Sequence, residues 1–430
     1  MSTMRTVEPA RGRRAWLRTS PSRARRGVAG VLAGIVVQAA LAAGLAANAG
    51  AQQWVASWGS SLQGPAPEEW TISNASIRLI ARSTIAGDRV RVRLENTFGE
   101  QPLSIGAAAV GLRNNGPTLV IGSSRVLQFG GAAAVTVPAG EYVVSDPVDL
   151  AVQAEQELAV SLYIPGADVR SSIHRNALTT SYLTDSGVGD RTTDATGDAF
   201  TATTPWMHWL SAVEVNSSTA RGAVGGFGDS ITDGSCATPD GHDRWEDVLY
   251  ARLAAAGARL GMINAGIGGN TVIRVPPVGS VPGVERLDRD VLSLAGITHV
   301  IIFLGTNDLR REATAEQVIA GLEEIVGRIK AQGLKVIGTT IIPRNPKPRG
   351  GLPPELGFGP ERNARRHAIN EWARNNTELD ALIDFDAVTQ DPDDPDFIYP
   401  PYDCDGIHPN VFGYAAMGRS IDLGVFGVSQ

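Results

Sequence analysis

Hydrophobic and polar positions follow different patterns in the two halves of the chain. From residue 53 to about residue 220, short runs such as 76–81 and 89–94 alternate apolar and polar positions with a period of two. Gly87-Asp88 between those runs is typical of a turn, and long helical periodicity is absent. Short strands separated by turns predict an N-terminal β-sandwich domain over residues 53–220.

The pattern changes in residues 221–430, where short apolar runs alternate with segments of helical periodicity. The apolar runs predict five strands, at 223–227, 262–264, 298–304, 334–342 and 381–385. The intervening segments predict helices at 245–256, 284–294, 315–332 and 361–376, and a last helix that starts near Val411. This alternation predicts an α/β domain with a five-stranded parallel sheet that helices cover on both faces.

Polar motifs follow directly after these predicted strands. Gly-Asp-Ser at 228–230 ends the first strand and places the Ser230 hydroxyl at the carboxyl edge of the sheet, where open α/β sheets bind ligands. Asn-Ala-Gly-Ile-Gly-Gly-Asn at 264–270 follows the second strand, and Gly-Thr-Asn-Asp at 305–308 follows the third. Asp-Gly-Ile-His at 405–408 lies beyond the fifth. The four motifs are therefore expected to converge on one edge.

The residue types in these motifs suit nucleophilic catalysis. His408 alone among the six histidines has an aspartate three residues before it. A serine nucleophile needs a nearby base and a group that orients the base, and acyl transfer needs donors for the developing oxyanion. Each motif taken alone could be a glycine-rich turn, a helix cap or a surface histidine. Their joint occurrence at strand ends favours a catalytic site.

Residues 221–430 resemble a GDSL-type, or SGNH, hydrolase in all four motifs. The resemblance implies a flavodoxin-like three-layer α/β/α domain that hydrolyses esters with no metal and no organic cofactor. It also implies that Ser230 is the nucleophile, that His408 is the general base, and that Asp405 orients His408.

The same resemblance implies an oxyanion hole. Its donors would be the backbone N–H groups of Ser230 and Gly269 and the side-chain amide of Asn307. Gly266 and Gly268 remain alternatives to Gly269. Residues 53–220, together with the following Ser-Ile-Thr-Asp-Gly and Arg-Trp segments, resemble the secreted bacterial two-domain members.

The N-terminal segment 1–51 is predicted to be a signal peptide. Eight arginines precede an apolar stretch at 28–47, and the small residues Ala49-Gly50-Ala51 follow it. The alternative is a membrane anchor, because about 20 apolar residues can span a bilayer. The stretch consists mostly of alanine and glycine and ends in a cleavage-like site. We therefore expect cleavage and a secreted protein with no stable membrane insertion.

Length and charge narrow the function classes. A chain of 430 residues is expected to form two domains, and its 43% hydrophobic content is enough for sizeable cores. Without the eight arginines and one glutamate of residues 1–51, 30 basic and 44 acidic residues remain, a net charge of −14. An acidic surface argues against nucleic acid and anionic membranes as partners. No Cys or His cluster has zinc-ligand spacing, so no metal is expected. The oligomeric state stays undetermined.

A disulfide between Cys236 and Cys404 is predicted. Cys236 lies six residues after Ser230, and Cys404 immediately precedes Asp405. If Ser230 and His408 are within hydrogen-bonding reach, the two loops that carry the cysteines must be neighbours. An exported protein would keep such a bond. The alternative is a pair of free or buried thiols.

We expect structural and not catalytic roles for several other polar and aromatic residues. Asp229 and Asp233 are expected to form the turn around the nucleophile and to take no part as acids. The arginines of 89–93 are expected to lie on the solvated face of a strand. The Pro- and Gly-rich loop 343–360 is expected to form one wall of the substrate pocket or to be a disordered insertion. Five tryptophans of the first half are expected to pack in a core or between domains, with sugar stacking as the alternative: Trp54, Trp58, Trp70, Trp206 and Trp209.

Three functions are consistent with the sequence. The first is a secreted esterase that acts on an O-acylated carbohydrate, small or polymeric, or on a short-chain acyl ester. The second is a lipase or phospholipase, which predicts an extended apolar surface near the site. The third is a carbohydrate-binding protein with an inactive hydrolase-like half, which predicts the loss of a catalytic residue. No residue of the proposed triad is lost.

Overall fold

The computed structural model describes residues 52–275 and 280–428. The predicted signal segment and its apolar stretch lie outside these residues. Within the described part, no helix is both long enough and apolar enough to cross a bilayer. The chain from Ala51 to Gln430 forms one compact unit. The boundary near residue 220 between the two expected domains stays a prediction.

The N-terminal half consists of short strands. Their bounds are β1 Gln53–Gly59, β2 Gly64–Pro65, β3 Ala75–Arg82, β4 Gly87–Glu95, β5 Leu103–Ile105, β6 Ala107–Leu112, β7 Arg125–Val126, β8 Val135–Val137, β9 Tyr142–Val144, β10 Val148–Val152, β11 Glu157–Ile164, β12 Ser172–His174, β13 Ser181–Leu183, β14 Ala202–Thr204, β15 Met207–His208 and β16 Leu210–Ser217. One antiparallel sheet has the order β1-β16-β4-β10, with β9 also on β4, and another has the order β14-β13-β3-β11-β6-β7. Two small sheets, β15-β12-β2 and β5-β8, complete this half.

The two large sheets share one core. Alternate residues of β3, including Ile77 and Leu79, are buried in the same cluster as Val90 and Val92 of β4, and these two strands belong to different sheets. Packing of the inner faces of two sheets defines a sandwich, so the predicted β-rich N-terminal architecture is confirmed.

Two local predictions in this half are wrong. Gly87-Asp88 is not a turn, because both residues belong to β4 and Gly87 pairs with Val152 of β10. The chain between β3 and β4 crosses from one sheet to the other. The arginines of 89–93 are also not uniformly solvated. Arg93 is only 3% exposed, forms an ion pair with Glu95 at 2.9 Å and donates to Ser293 Oγ at 2.7 Å.

Three of the five tryptophans, Trp70, Trp206 and Trp209, have the predicted packing role. Trp209 is fully buried in the sandwich core. Trp70 stacks on the buried ring of His208 with centroids 4.5 Å apart and also contacts Trp206 at 5.2 Å. Burial lowers the pKa of His208 to about 3, so the ring is neutral and packs as an aromatic group.

The C-terminal half alternates strands and helices. The strands are β17 Gly222–Gly228, β18 Leu260–Gly266, β19 Ile297–Phe303, β20 Lys335–Thr339 and β21 Ala381–Ile383. The helices are α1 Ser230–Asp233, α2 Trp245–Ala255, α3 Gly283–Leu287, α4 Thr306–Arg310, α5 Ala315–Ala331, α6 Pro360–Asn375, α7 Phe385–Thr389 and α8 Val411–Ser420. The predicted helix 284–294 is split, because a π-helical turn at Asp288–Leu292 follows α3.

These strands form a parallel sheet in the order β18-β17-β19-β20-β21. This is the flavodoxin-like order, in which the strand order reverses between β17 and β19 and leaves a crevice at their carboxyl ends. Apolar residues of α5 and α6 pack on one face of the sheet, and those of α2 and α8 pack on the other. The predicted three-layer α/β/α architecture is confirmed.

The sandwich and the α/β half are joined by direct contacts. Val55 and Ala56 of β1 belong to the core beneath the parallel sheet, and the Ala56 N–H donates to the Ala295 carbonyl at 2.8 Å. Thr84 Oγ1 accepts from the N–H of Met262 in β18 at 2.9 Å. The sandwich therefore packs against the strand that carries the second polar motif.

Candidate active site

The turn after β17 presents Ser230. A side chain at Gly228 would meet Thr232 Oγ1 at 2.1 Å, so the end of β17 can pack this closely on α1 only with glycine there. Asp229 caps α1 by accepting from the Ile231 N–H at 3.0 Å, a contact that typically contributes about 1 kcal/mol. Ser230 is the first residue of α1 and is 7% exposed. Its hydroxyl therefore stands at the carboxyl edge of the sheet.

The structure brings Ser230, His408 and Asp405 together. Ser230 Oγ lies 2.9 Å from His408 Nε2, and His408 Nδ1 lies 2.8 Å from Asp405 Oδ2. Because a carboxylate only accepts hydrogen bonds, His408 Nδ1 carries a proton, and His408 Nε2 is the ring nitrogen that faces the serine hydroxyl. This is the geometry in which a histidine can take the proton of a serine nucleophile.

Asp405 is held as an anion. Burial raises the pKa of this carboxyl group, but hydrogen bonds and charge from His408 and the N–H of Ile407 outweigh burial and lower the pKa to about 2. The other carboxylate oxygen, Oδ1, accepts from the backbone N–H groups of Ile407 at 2.9 Å and His408 at 2.8 Å. These bonds fix the orientation of the carboxylate toward the imidazole ring.

The glycines of the second motif differ in whether their N–H groups are free. The Gly266 N–H donates to Asn264 Oδ1 at 2.9 Å, and the Gly268 N–H donates to Asp233 Oδ2 at 3.0 Å. The Gly269 N–H has no acceptor among the described residues. Gly269 adopts φ +73°, a left-handed conformation that favours glycine. Of the three candidates, Gly269 is therefore the one with a donor left for an oxyanion.

Asn307 lies at the start of α4, after β19, and is 4% exposed. Its Nδ2 donates to the Asn270 carbonyl at 3.0 Å, and its Oδ1 accepts from Arg344 Nη2 at 3.0 Å. A guanidinium group can only donate, so Arg344 fixes which end of the Asn307 amide is the N–H end. One N–H of Nδ2 is used by Asn270, and the second remains for a ligand.

Sequence reasoning missed Arg344. It is 2% exposed and packs over Phe358 at 5.3 Å, and burial lowers its pKa to about 10, which leaves it charged at neutral pH. The signal that could have found it is its place two residues after the Ile341-Ile342 pair, at the start of the long loop 343–360.

That loop is built into the site. The Asn345 N–H donates to the Gly406 carbonyl at 2.8 Å, and Asn345 Nδ2 donates to Asp403 Oδ2 at 2.8 Å. Arg349 forms an ion pair with Asp403 at 2.9 Å, and its N–H donates to the Asp405 carbonyl at 2.6 Å. The loop therefore connects the Asn307 side chain to the Asp-His segment. The interpretation of the loop as a disordered insertion is wrong.

Asp229 and Asp233 both lie in the turn around Ser230, as predicted, but Asp233 also makes a contact that the sequence did not indicate. Asp233 Oδ1 lies 3.0 Å from Nε2 of His174, which belongs to β12 of the sandwich, and both residues are 4% exposed. His174 Nδ1 lies 2.8 Å from the Ser61 carbonyl oxygen. Both ring nitrogens face oxygens that only accept, so both carry protons. Burial lowers the pKa of His174, but the Asp233 carboxylate raises it above the usual value overall.

A second buried arginine, also missed from the sequence, binds the strand ends together. Arg286 of α3 is fully buried and donates to the carbonyl groups of Gly228 at 2.7 Å and Ala265 at 2.9 Å. It also donates to Asn270 Oδ1 at 2.9 Å and pairs with Asp290 at 2.9 Å. These contacts fix the ends of β17 and β18 and the segment that follows Gly269.

The cysteines form the predicted disulfide, Cys236–Cys404, with Cα atoms 6.5 Å apart. It joins the segment after the nucleophile to the residue before Asp405. Donor atoms of Cys236, Asp405 and His408 lie within 4.8 Å of one another. A cysteine binds a metal ion as a thiolate, and Cys236 has no thiolate while it is disulfide-bonded. This group therefore does not fit a metal ion.

Residues 227–416 match the family model of the GDSL-like Lipase/Acylhydrolase family. No curated protein matches the chain. Among solved structures, a carbohydrate acetylesterase from Sinorhizobium meliloti is 21% identical, covers 46% of this chain and 95% of its own, and has a TM-score of 0.38. The M. smegmatis aryl esterase is 20% identical, covers 48% of this chain and 100% of its own, and has a TM-score of 0.39. Likeness at this level says nothing about substrate.

The family match spans all four polar motifs, from the end of β17 to α8. Residues 227–416 therefore form a domain of the GDSL-like Lipase/Acylhydrolase family, the GDSL, or SGNH, type of carboxylic ester hydrolase.

Proposed function

We propose that the protein is a secreted serine esterase that forms an acyl-enzyme on Ser230. The observation that carries this proposal is the chain of two hydrogen bonds from Ser230 Oγ through His408 to Asp405, at 2.9 and 2.8 Å. The free N–H of Gly269 and the oriented amide of Asn307 support it, since acyl transfer needs donors for an oxyanion. The disulfide supports export, because such bonds persist in oxidising compartments.

The proposed first step forms the acyl-enzyme. His408 Nε2 takes the hydroxyl proton as Ser230 Oγ attacks the ester carbonyl carbon, and the carbonyl oxygen becomes an oxyanion. The N–H groups of Ser230, Gly269 and Asn307 hold that oxyanion. As the tetrahedral intermediate collapses, His408 gives its proton to the leaving alcohol.

The second step is hydrolysis of the acyl-enzyme. Water enters in place of the alcohol, His408 takes a proton from it, and the resulting hydroxide attacks the acyl carbon. Collapse of the second intermediate returns the proton to Ser230 and releases the carboxylic acid. Asp405 remains an anion throughout and stabilises the imidazolium that forms in each half-reaction.

The proposed substrates are short-chain acyl esters or O-acylated carbohydrates. The lipase alternative predicts an extended apolar surface near the site. Of the exposed large apolar side chains among the described residues, four belong to the sandwich half and one, Phe412, lies four residues after His408; the four are Val120, Ile121, Val126 and Tyr142. Rates on p-nitrophenyl esters of increasing chain length and on acetylated xylan test the proposal. We expect the highest kcat/KM on acetyl to butyryl esters, and a preference for acyl chains of twelve or more carbons would favour a lipase.

Replacing Asn307 by alanine tests the oxyanion hole. We expect kcat to fall by about 10²–10³-fold with a smaller change in KM, because the contact strengthens in the transition state. Steady-state kinetics on a p-nitrophenyl ester measures this, with circular dichroism as a check on the fold. A loss confined to KM would instead make Asn307 a residue that positions the substrate.

The pH dependence tests the base. Because the pKa of Asp405 is about 2, its carboxylate stays ionised throughout the range from pH 4 to 9. Only neutral His408 can accept the serine proton, so kcat/KM should rise with pH as the imidazolium loses its proton and then level off. A profile that is flat across the histidine range, with chemistry rate-limiting, would contradict this role.

A further inference from the structure

An open cleft of about 580 Å³ lies beside the proposed oxyanion hole, between the sandwich and the α/β half. Gly268 and Gly269 form part of its lining from the α/β side. Residues of the sandwich, including Gln63 to Pro67 and Phe98, form the opposite side. If the Gly269 N–H holds the carbonyl oxygen of an ester substrate, either the acyl part or the alcohol part of that substrate would extend into this cleft.

The cleft is positively charged. Arg170, Arg175 and Arg311 line it, and none of its described lining residues is acidic. This contrasts with the excess of acidic residues in the chain as a whole. Uncompensated cations around a concave site concentrate a positive potential there and attract anionic ligands.

The three guanidinium groups are poorly neutralised. Arg175 is exposed, and its guanidinium group has no hydrogen-bond or ion-pair partner within the described ranges. Arg311 has a buried Nε atom without an acceptor there, and its Nη1 makes one long contact of 3.4 Å to the Val275 carbonyl. Arg170 has Glu100 at 4.0 Å, but Glu100 is 85% exposed, so solvent screens that pair.

Arg311 is close in the chain to the proposed catalytic donors. It follows directly on α4, the helix that begins at Thr306 and carries Asn307. Its N–H donates to the Asn307 carbonyl at 3.2 Å, so its backbone is fixed relative to the oxyanion hole. Arg175 lies one residue after His174, whose imidazole reaches Asp233. Arg311 and Arg175 therefore belong to segments that also carry residues of the proposed active site.

We propose that this cleft binds a carboxylate on the ester substrate, so that the enzyme prefers esters with an anionic acyl or alcohol part. The inference rests on the proposed esterase function and adds a substrate class to it. Arginine suits this role, because its planar fork binds carboxylate oxygens in pairs and keeps its charge at every physiological pH. The contact lies beside the reacting carbonyl group and helps to orient the ester.

Matched substrate pairs test the preference on the purified full protein. The acyl pair is the p-nitrophenyl monoester of glutaric acid and its methyl-capped diester. The alcohol pair is 4-acetoxybenzoate and its methyl ester. We expect the anionic member of at least one pair to have the higher kcat/KM, and 0.5 M NaCl to reduce the ratio because the cleft is open to solvent. The pair that responds shows which side of the ester enters the cleft.

Substitutions then assign the effect to the cleft. In the double variant Arg175→Gln/Arg311→Gln, we expect the anionic-to-neutral ratio of kcat/KM to fall by about 10-fold or more. Arg175→Gln alone, at an exposed position that folding should tolerate, should lower the ratio in the same direction. The matched control is Arg419→Gln, an exposed arginine of α8 outside the cleft, which should leave the ratio unchanged.

Two outcomes overturn the inference and are distinguishable. In the first outcome, hydrolysis of p-nitrophenyl acetate depends on Ser230, but the anionic-to-neutral ratio of kcat/KM does not exceed one for either substrate pair, or it exceeds one and is unchanged in the arginine variants. The cleft then does not select anions, and the esterase proposal stands. If no ester is hydrolysed in a Ser230-dependent manner, the proposed function itself fails and the inference fails with it.

Discussion

Replacement of Ser230 by alanine is expected to lower kcat by about 10⁴-fold or more and to leave the fold intact. The hydroxyl is the atom that would become acylated, and it lies 2.9 Å from the proposed base. Removing the Ser230 hydroxyl breaks the contact with His408 but leaves the cap from Asp229 to Ile231 in place. The measurement is kcat on a p-nitrophenyl ester, with circular dichroism and thermal unfolding on the same preparations.

His408→Ala should give a loss of similar size, because nucleophile and base act as one unit and their effects are not additive. The double variant should therefore be little worse than either single variant. Ser235→Ala, in the same segment but outside the proposed triad, is the matched control and should retain wild-type activity. Near-normal turnover in folded Ser230→Ala protein would remove Ser230 from the mechanism.

The parts of the fold that sequence predicts best are those with long, uniform patterns. The apolar run at 298–304 and the amphipathic segment at 315–332 are observed as β19 and α5 within one residue at each end. The helix start is marked by Thr314, whose side chain caps α5 together with Gln317. In contrast, the apolar run at 334–342 predicts a longer strand than the one observed, because β20 ends at Thr339. Ile341 instead pairs through its backbone with the Asn370 side chain of α6.

The proximity of Ser230, His408 and Asp405 could be anticipated because these residues sit in short polar motifs that follow strands. The groups that hold them in place could not. Arg344, Arg286 and His174 are single residues in apolar or unremarkable surroundings, and their contacts with Asn307, Asn270 and Asp233 span 37, 16 and 59 positions of the chain, respectively. Neither periodicity nor local spacing carries information about such contacts. They arise because buried polar groups must find partners wherever the fold brings them.

The sandwich reaches the site more directly than its sequence indicates. Its His174 holds the Asp233 carboxylate, and Asp233 in turn holds the Gly268 N–H, one residue before the proposed oxyanion donor Gly269. Asp233 binds the Gly268 N–H, and Gly269 adopts a left-handed conformation. In this arrangement the Gly269 N–H has no acceptor among the described residues. The N-terminal half therefore supports the loop that carries the proposed oxyanion donor Gly269, and separate expression of residues 221–430 would remove that support.

Breaking the Cys236–Cys404 disulfide is expected to lower the free energy of unfolding by up to about 5 kcal/mol, because the bond closes a loop of 168 residues. Denaturant unfolding of the oxidised protein and of the double variant Cys236→Ser/Cys404→Ser measures the difference. Non-reducing peptide mapping of the purified native protein establishes whether the bond is present. Two alkylatable thiols in the native, air-handled enzyme would contradict it.

Loss of the bond should also lower kcat at temperatures where the protein remains folded. Cys404 immediately precedes Asp405, and the bond ties that residue to the segment six positions after Ser230. Without it, the Asp-His segment is held to the loop 343–360 by Asn345 and Arg349, but its covalent link to the nucleophile segment is gone. The measurement is kcat of the wild-type protein before and after reduction with a thiol reductant. Treating the double variant Cys236→Ser/Cys404→Ser with the same reductant separates disulfide loss from other effects of the reductant. If reduction lowers kcat in the wild type and not in the double variant, the disulfide positions Asp405 and His408; equal kcat in oxidised, reduced and double-variant protein would show that the loop contacts alone are sufficient.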